Sequence, residues 1–206
     1  MNPPTSRRRW AWINGWGIHA DVFTATLNAC WPRDDHQVFP PDRHALDRLR
    51  ASQADILAGY SLGSLLLLSA EAWPASVQLV AVAPLLAFDA EAGLGGTTPA
   101  ATRLNLRCKF DQKPETQLKV FQRMAGLQGL VTDPLPGTPE DLAWGLDALG
   151  TLSAHPANTR RARLYAGACD RLLAAHALHA HTDSLHIIAD AGHDFRQLLP
   201  AVATHE

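Results

Sequence analysis

The sequence predicts an α/β fold with a mostly parallel sheet of about six strands. Short apolar runs alternate with helix-like segments, one such run leads through a Gly-x-Ser-x-Gly pentapeptide into a helix, and the alternation resumes after a long break. The 206 residues suffice for one domain with a sizeable core. Apolar residues make up 47% and charged residues 18% of the chain, as in ordinary globular proteins.

The first part of the chain alternates regularly between strands and helices. The turn at Asn14-Gly15 ends the first apolar run, Pro40 ends the second and Pro84 ends the fourth. In chain order the predicted elements are strand 9–13, helix 19–31, strand 37–39, helix 42–52, the strand before the pentapeptide, helix 62–73 and strand 77–83.

A helical insertion is predicted between two parts of the core. Residues 89–156 contain no convincing strand, a loop at 93–99, a helix at 114–125 and a second helix that begins beside Thr138 and Pro139. The alternation resumes with strand 162–166, helix 172–180, strand 184–188 and a helix from about residue 195. We therefore expect a core formed by residues 1–88 and 157–206, and a small helical cap at 89–156.

The pentapeptide around Ser61 has the form of a nucleophile elbow, a sharp turn between a strand and a helix. Gly59 and Gly63 lack Cβ atoms, which lets the strand and the helix pack closely around the turn. The turn would expose the Ser61 hydroxyl at a helix N-terminus, where the helix dipole favours negative charge. The alternative is that Ser61 is an ordinary helix N-cap.

Two downstream residues fit the remaining positions of a Ser-Asp-His triad. Asp170 follows strand 162–166, and His193 follows strand 184–188. His193 would accept the proton of Ser61, and Asp170 would orient the imidazole and stabilise its protonated form. Asp190 and Asp194 are alternatives to Asp170, although both lie close to His193 in sequence.

An oxyanion requires backbone donors, and two are predicted. The Leu62 N–H directly follows the nucleophile, and the Trp16 N–H lies in the loop after the first strand. The Trp16 side chain could instead be a buried aromatic that forms a wall of the pocket.

These motifs resemble those of the α/β-hydrolase superfamily, and in particular the pimeloyl-[acyl-carrier protein] methyl ester esterases of biotin synthesis. Gly15-Trp16-Gly17 matches the oxyanion loop of those enzymes, and Leu164 to Asp170 is similar to their acid loop. Asn14 stands where the family usually has His, and Tyr60 stands where it often has Trp. The resemblance implies a serine carboxylesterase without metal or organic cofactor, on a hydrolase sheet that lacks the usual N-terminal hairpin.

Basic residues are concentrated in the predicted cap. Between positions 103 and 123 there are six Lys and Arg residues and two acidic ones, although the whole chain has a net charge of −2. In the resembled family, basic cap residues dock the acidic acyl-carrier protein, which makes these residues candidates for docking: Arg103, Arg107, Lys113, Lys119 and Arg123. The alternative is a solvated helix face.

The charge and cysteine content exclude several other classes. A net charge of −2 gives no general attraction to nucleic acid or to a membrane surface. No apolar stretch reaches the roughly 18 residues of a transmembrane helix, and residues 1–9 show no signal peptide. Three cysteines without metal-ligand spacing fit a reducing cytoplasm.

Two functions remain as alternatives to the esterase of the resembled family. One is a general small-ester carboxylesterase or thioesterase, and the other is a hydrolase-fold protein that binds without catalysis.

Overall fold

The computed structural model describes residues 7–206 and contains a six-stranded sheet in which every neighbouring pair is parallel. The first six residues of the lead-in, where the absence of a signal peptide is expected, lie outside the described part. The strand order is β2-β1-β3-β4-β5-β6, which confirms the predicted six-stranded α/β class. The strands are β1 (Arg9–Ile13), β2 (Asp35–Phe39), β3 (Ile56–Tyr60), β4 (Gln78–Val82), β5 (Arg163–Gly167) and β6 (Leu185–Ile188).

Helices cover both faces of this sheet. All five residues of β3 are buried, as expected for a central strand of a parallel sheet. Helix α1 packs against α8, and α3 packs against α2, α6 and α7. The helices are α1 (Ala20–Cys30), α2 (Ala45–Ala51), α3 (Leu62–Ser69), α4 (Ala100–Phe110), α5 (Pro114–Ala125), α6 (Pro139–Thr151), α7 (Pro156–Arg161) and α8 (Phe195–His205).

Helix α3 ends four residues before the predicted end at residue 73, because a distant segment occupies its last carbonyl groups. The Asn158 side chain donates hydrogen bonds to the carbonyls of Leu68 and Ala70, and the His155 amide also donates to Leu68. His155 directly precedes α7 and Asn158 lies within its first turn. The sequence pattern did not indicate this helix. The chain therefore leaves the helix at Ser69 and continues in an extended conformation at Ala70.

Four α-helices lie between β4 and β5. Helix α5 has the predicted bounds, and α6 begins as predicted, with the Thr138 hydroxyl accepting the Asp141 amide. The Asp141 carboxylate accepts a hydrogen bond from the Thr138 hydroxyl. In a capping box this carboxylate would instead accept a hydrogen bond from the Thr138 backbone amide. Helix α4 was not predicted. It buries Arg103 against Asp89, together with Leu106 and Phe110.

Within residues 7–206, the structure has no helix with the length and apolar character that a membrane crossing requires.

Candidate active site

The predicted site residues meet at the carboxyl-terminal edge of the sheet. Ser61 directly follows β3, Trp16 lies in the loop after β1, Asp170 follows β5 and His193 follows β6. Because all six strands are parallel, their carboxyl ends lie at the same edge. The topology alone therefore brings these loops together.

The turn at Ser61 is a strained junction between β3 and α3. Ser61 has φ 54° and ψ −118°, a conformation that non-glycine residues rarely adopt. A Cβ on Gly59 would lie 2.3 Å from the Gly63 carbonyl oxygen, and one on Gly63 would lie 2.0 Å from the Ile13 carbonyl oxygen. Any side chain at Gly59 or Gly63 would force the elbow apart, so the two glycines of the pentapeptide are sterically required.

Ser61, His193 and Asp170 form one continuous chain of hydrogen bonds. The His193 Nε2 atom lies 2.8 Å from the Ser61 hydroxyl oxygen, and its Nδ1 atom lies 2.7 Å from a carboxylate oxygen of Asp170. The side chains of His193 and Asp170 are fully buried, and Ser61 is 3% exposed. The second Asp170 oxygen accepts the Leu172 amide at 2.8 Å, which fixes the orientation of the carboxylate.

The two alternative acids occupy other positions. Asp194 accepts the Arg196 Nε proton at 2.9 Å and the Arg196 amide at 2.9 Å, and in this way it caps the start of α8. Asp190 is exposed in the turn after β6. Asp170 is the carboxylate that the structure places on the imidazole.

The two predicted oxyanion donors are the backbone amides of Trp16, in the loop after β1, and of Leu62, the first residue of α3. In the described part of the chain, the Trp16 and Leu62 N–H groups donate no hydrogen bond to another protein group. The Asn14 side-chain amide donates to the Ile18 carbonyl at 2.9 Å and so closes the loop that carries Trp16. Gly63 lets α3 approach this loop, because a Cβ there would also lie 2.6 Å from the Asn14 carbonyl oxygen.

The Trp16 side chain joins this loop to the helices that follow β4. Its Nε1 donates to the Leu142 carbonyl of α6 at 2.7 Å, and its ring packs against Phe110 and Phe121. A Cβ on Gly145 of α6 would lie 2.4 Å from the Trp16 ring, so the helix backbone rests directly on the indole. The loop that carries Trp16 is therefore held against α6 by one hydrogen bond and by aromatic packing.

One residue at the site was missed by the sequence analysis. Tyr60 is fully buried, and its hydroxyl donates a hydrogen bond to the His193 backbone carbonyl at 2.7 Å. Burial, with smaller contributions from the charges of Asp170 and Asp194, raises the pKa of Tyr60 well above its ordinary value. The only signal in the sequence was its position next to the nucleophile.

The structure corrects part of the predicted docking surface. Arg103 is 9% exposed and its guanidinium forms an ion pair with Asp89 at 2.9 Å, so it offers no free charge to a partner. Arg107 pairs with Asp111 and Asp147. The remaining three candidates are exposed and form no ion pair within residues 7–206: Lys113, Lys119 and Arg123.

The site is built from hydroxyl, imidazole, carboxylate and backbone amide groups. Across residues 7–206, the structure contains no group of three or more His, Cys, Asp or Glu side chains that could hold a metal ion.

Comparison with solved structures identifies the fold. An esterase from Exiguobacterium antarcticum superimposes with a TM-score of 0.72 at 13% identity, covering 97% of this chain and 92% of the esterase. A hydrolase from Oleispira antarctica gives 0.65 at 10% identity, covering 97% and 90%. BioG from Haemophilus influenzae gives 0.56 at 14% identity, covering 96% and 92%. No protein-family model and no curated protein sequence matches the chain. The chain therefore has the α/β-hydrolase fold.

Proposed function

We propose that this protein is a serine carboxylesterase in which Ser61 is the nucleophile. The observation that carries the proposal is the unbroken hydrogen-bond chain from Ser61 through His193 to Asp170, at 2.8 and 2.7 Å. The strained backbone at Ser61 and the two unused amides of Trp16 and Leu62 support the same function. Each of these features has a place in acyl transfer through a serine.

The proposed reaction has two halves. His193 Nε2 accepts the Ser61 proton while the serine oxygen attacks the ester carbonyl, and the Trp16 and Leu62 N–H groups donate to the oxyanion. The protonated imidazole then gives that proton to the departing alkoxide, which leaves as an alcohol and yields the acyl-enzyme. A water molecule, deprotonated by His193, attacks the acyl-enzyme, and the proton returns to Ser61 as the free acid leaves.

The proposed substrate is the methyl ester of a pimeloyl group carried by acyl-carrier protein, in the synthesis of the biotin precursor. This narrower assignment is supported by the motifs that resemble the esterases of that reaction. It is also supported by the exposed charges of Lys113, Lys119 and Arg123, which form no ion pair with any described residue and suit an acidic carrier. Arg103 and Arg107 take no part in the proposed contact, because both side chains are held in ion pairs.

Methanol release from methyl pimeloyl-acyl-carrier protein tests this proposal. We expect turnover by the wild-type protein, loss of turnover in Ser61→Ala, and normal turnover in Ser69→Ala, whose hydroxyl donates a hydrogen bond to the Leu66 carbonyl. Turnover that survives Ser61→Ala would contradict the assigned nucleophile.

The same preparation separates the alternatives. Hydrolysis of free short-chain esters without action on the carrier-linked ester would favour a general carboxylesterase or thioesterase. Failure of a fluorophosphonate to label Ser61, together with no hydrolysis of any ester, would favour a protein that binds without catalysis.

A further inference from the structure

Tyr60 lies between the loops that carry the site. Its hydroxyl donates to the His193 carbonyl at 2.7 Å, and its ring centroid lies 5.5 Å from that of His193. The ring also packs against Phe23 and Phe195, with centroids 5.7 and 5.6 Å away. The side chain is therefore held in place from several directions.

The same ring supports the oxyanion loop. A Cβ on Gly15 would lie 2.6 Å from Cε1 and 2.7 Å from Cδ1 of Tyr60. The Gly15 backbone therefore lies directly on one edge of the ring, one residue before Trp16. Since Tyr60 also precedes Ser61, this single side chain touches the histidine loop and the oxyanion loop from within the elbow.

The hydrogen bond to His193 has no substitute nearby. In residues 7–206, no other group donates to the His193 carbonyl. A tyrosine hydroxyl is protonated at neutral pH, and burial raises the pKa of Tyr60 still further, so the hydroxyl remains a donor. A buried carbonyl that loses its only donor is unfavourable, and the loop would move to find another.

We propose that Tyr60 is a positioning residue that holds the His193 loop so that the imidazole spans Ser61 and Asp170. This role rests on the proposed esterase function and adds a residue to it. The hydroxyl fixes the histidine backbone, and the ring fixes the distance between that loop and the oxyanion loop. The imidazole then needs no rearrangement before it accepts the serine proton.

Tyr60→Phe is the informative variant, because it removes the hydroxyl and keeps the ring. The chain provides a matched control, since Tyr165 is the other of its two tyrosines and its buried hydroxyl donates to a carboxylate oxygen of Glu206 at 2.6 Å. Tyr165→Phe also loses one hydrogen bond, but at a place away from the site. Thermal unfolding of both variants measures the cost to the fold alone.

Two measurements test the role. We expect kcat for ester hydrolysis to fall about tenfold in Tyr60→Phe, with KM within about twofold of wild type, because the ring and the binding surface remain. Tyr165→Phe should keep the wild-type kcat. By proton NMR, the downfield His193 Nδ1–H signal from the bond to Asp170 should shift or broaden in Tyr60→Phe and stay unchanged in Tyr165→Phe.

The outcomes distinguish this inference from the proposed function. An active wild type with equal kcat and equal NMR signals in the two variants would overturn the role of Tyr60 and leave the esterase standing. An inactive wild type in which only Tyr60→Phe disturbs the His193 signal would refute the esterase and support the positioning of His193. An inactive wild type with an undisturbed signal in both variants would overturn both.

Discussion

The Ser61 hydroxyl lies 2.8 Å from His193 Nε2, and it caps no backbone amide although Ser61 stands at the N-cap of α3. An ordinary N-cap serine has an extended backbone and accepts an amide proton from the first turn of its helix. Here φ is +54°, which turns the side chain away from the helix and towards the imidazole. The interpretation of Ser61 as a simple helix cap does not fit this geometry.

Asp170→Asn should lower kcat by about four orders of magnitude, because an amide favours the wrong imidazole tautomer and cannot stabilise its charge. The fold should survive, since the amide oxygen can still accept the Leu172 amide that Asp170 now accepts at 2.8 Å. Asp190→Asn is the matched control, because Asp190 is exposed and lies nearer His193 in sequence. Steady-state ester hydrolysis measures both variants, and an equal loss in the two would contradict the assignment.

Gly63→Ala should reduce both stability and kcat. The new Cβ would lie 2.0 Å from the Ile13 carbonyl oxygen, so α3 must move away from β1 and carry the Leu62 amide with it. Gly93→Ala is the comparison, because its φ of +68° strains an alanine but nothing lies within 4 Å of the new Cβ. We expect Gly93→Ala to lose about 1 kcal/mol of unfolding free energy and no activity. Unchanged kcat in Gly63→Ala would refute the need for close packing.

The position of the site was predictable from the sequence because it depends on two local regularities. Each site residue follows a recognisable strand, and parallel strands end at one edge of the sheet. The pairing of Asp170 with His193 needed only the position of each residue after its strand. Tyr60 was not predictable, because its contact with the His193 carbonyl joins residues 133 positions apart that no motif connects.

Helix ends were less predictable, because distant residues determine them. The predicted helix 172–180 is a short 3₁₀ segment at Ala175–Ala180, since residues just before it bond elsewhere. The Thr97 amide donates to the Leu172 carbonyl, and the Ala174 amide donates to the Gly95 carbonyl. These contacts keep 172–174 out of the helix. Helix α4 was missed because it buries an arginine. Among residues 7–206, Arg103 is paired only with Asp89, which lies 14 positions earlier in the chain.

Reversing the charges of Lys113, Lys119 and Arg123 to Glu should raise KM for a carrier-linked ester and leave a free ester unaffected. These side chains are exposed and unpaired in the described part of the chain, so in the proposed docking they would act through long-range attraction to an acidic carrier. The effect should shrink as salt is added. Arg33→Glu is the control, because Arg33 is exposed and precedes β2, at the amino-terminal edge of the sheet. Equal losses on both substrates would rule out docking through this surface.

Trp16→Phe should destabilise the contact between the loop after β1 and α6. The substitution removes the 2.7 Å hydrogen bond from Nε1 to the Leu142 carbonyl and leaves that carbonyl without this donor. A loss of about 1–3 kcal/mol is expected, or roughly 2–4 °C in Tm for each kcal/mol in a chain of this size. Thermal unfolding measures it, and Trp73→Phe is a control because its Nε1 also donates to a buried carbonyl, that of Leu67, at 2.8 Å. Hydrogen exchange in α6 should rise only in Trp16→Phe.

Because of Asp34, the unfolding free energy should fall as the pH is lowered into the acid range. Burial alone would raise the pKa of this carboxylate, but hydrogen bonds from Trp10 and Arg8, with the charge of Arg8, outweigh it and lower the pKa. A group whose pKa is lower in the folded state stabilises the fold above its unfolded pKa of about 3.9, and this contribution is lost as pH falls through the folded pKa. By urea unfolding, Asp34→Asn should therefore have a lower unfolding free energy than wild type at pH 7, and this difference should shrink below about pH 4. Asp35 forms an ion pair with Arg7 in which both side chains are about half exposed. Asp35→Asn should therefore lose little unfolding free energy at either pH. A deficit in Asp34→Asn that stays constant down to pH 2 would show that the ionised carboxylate contributes nothing specific.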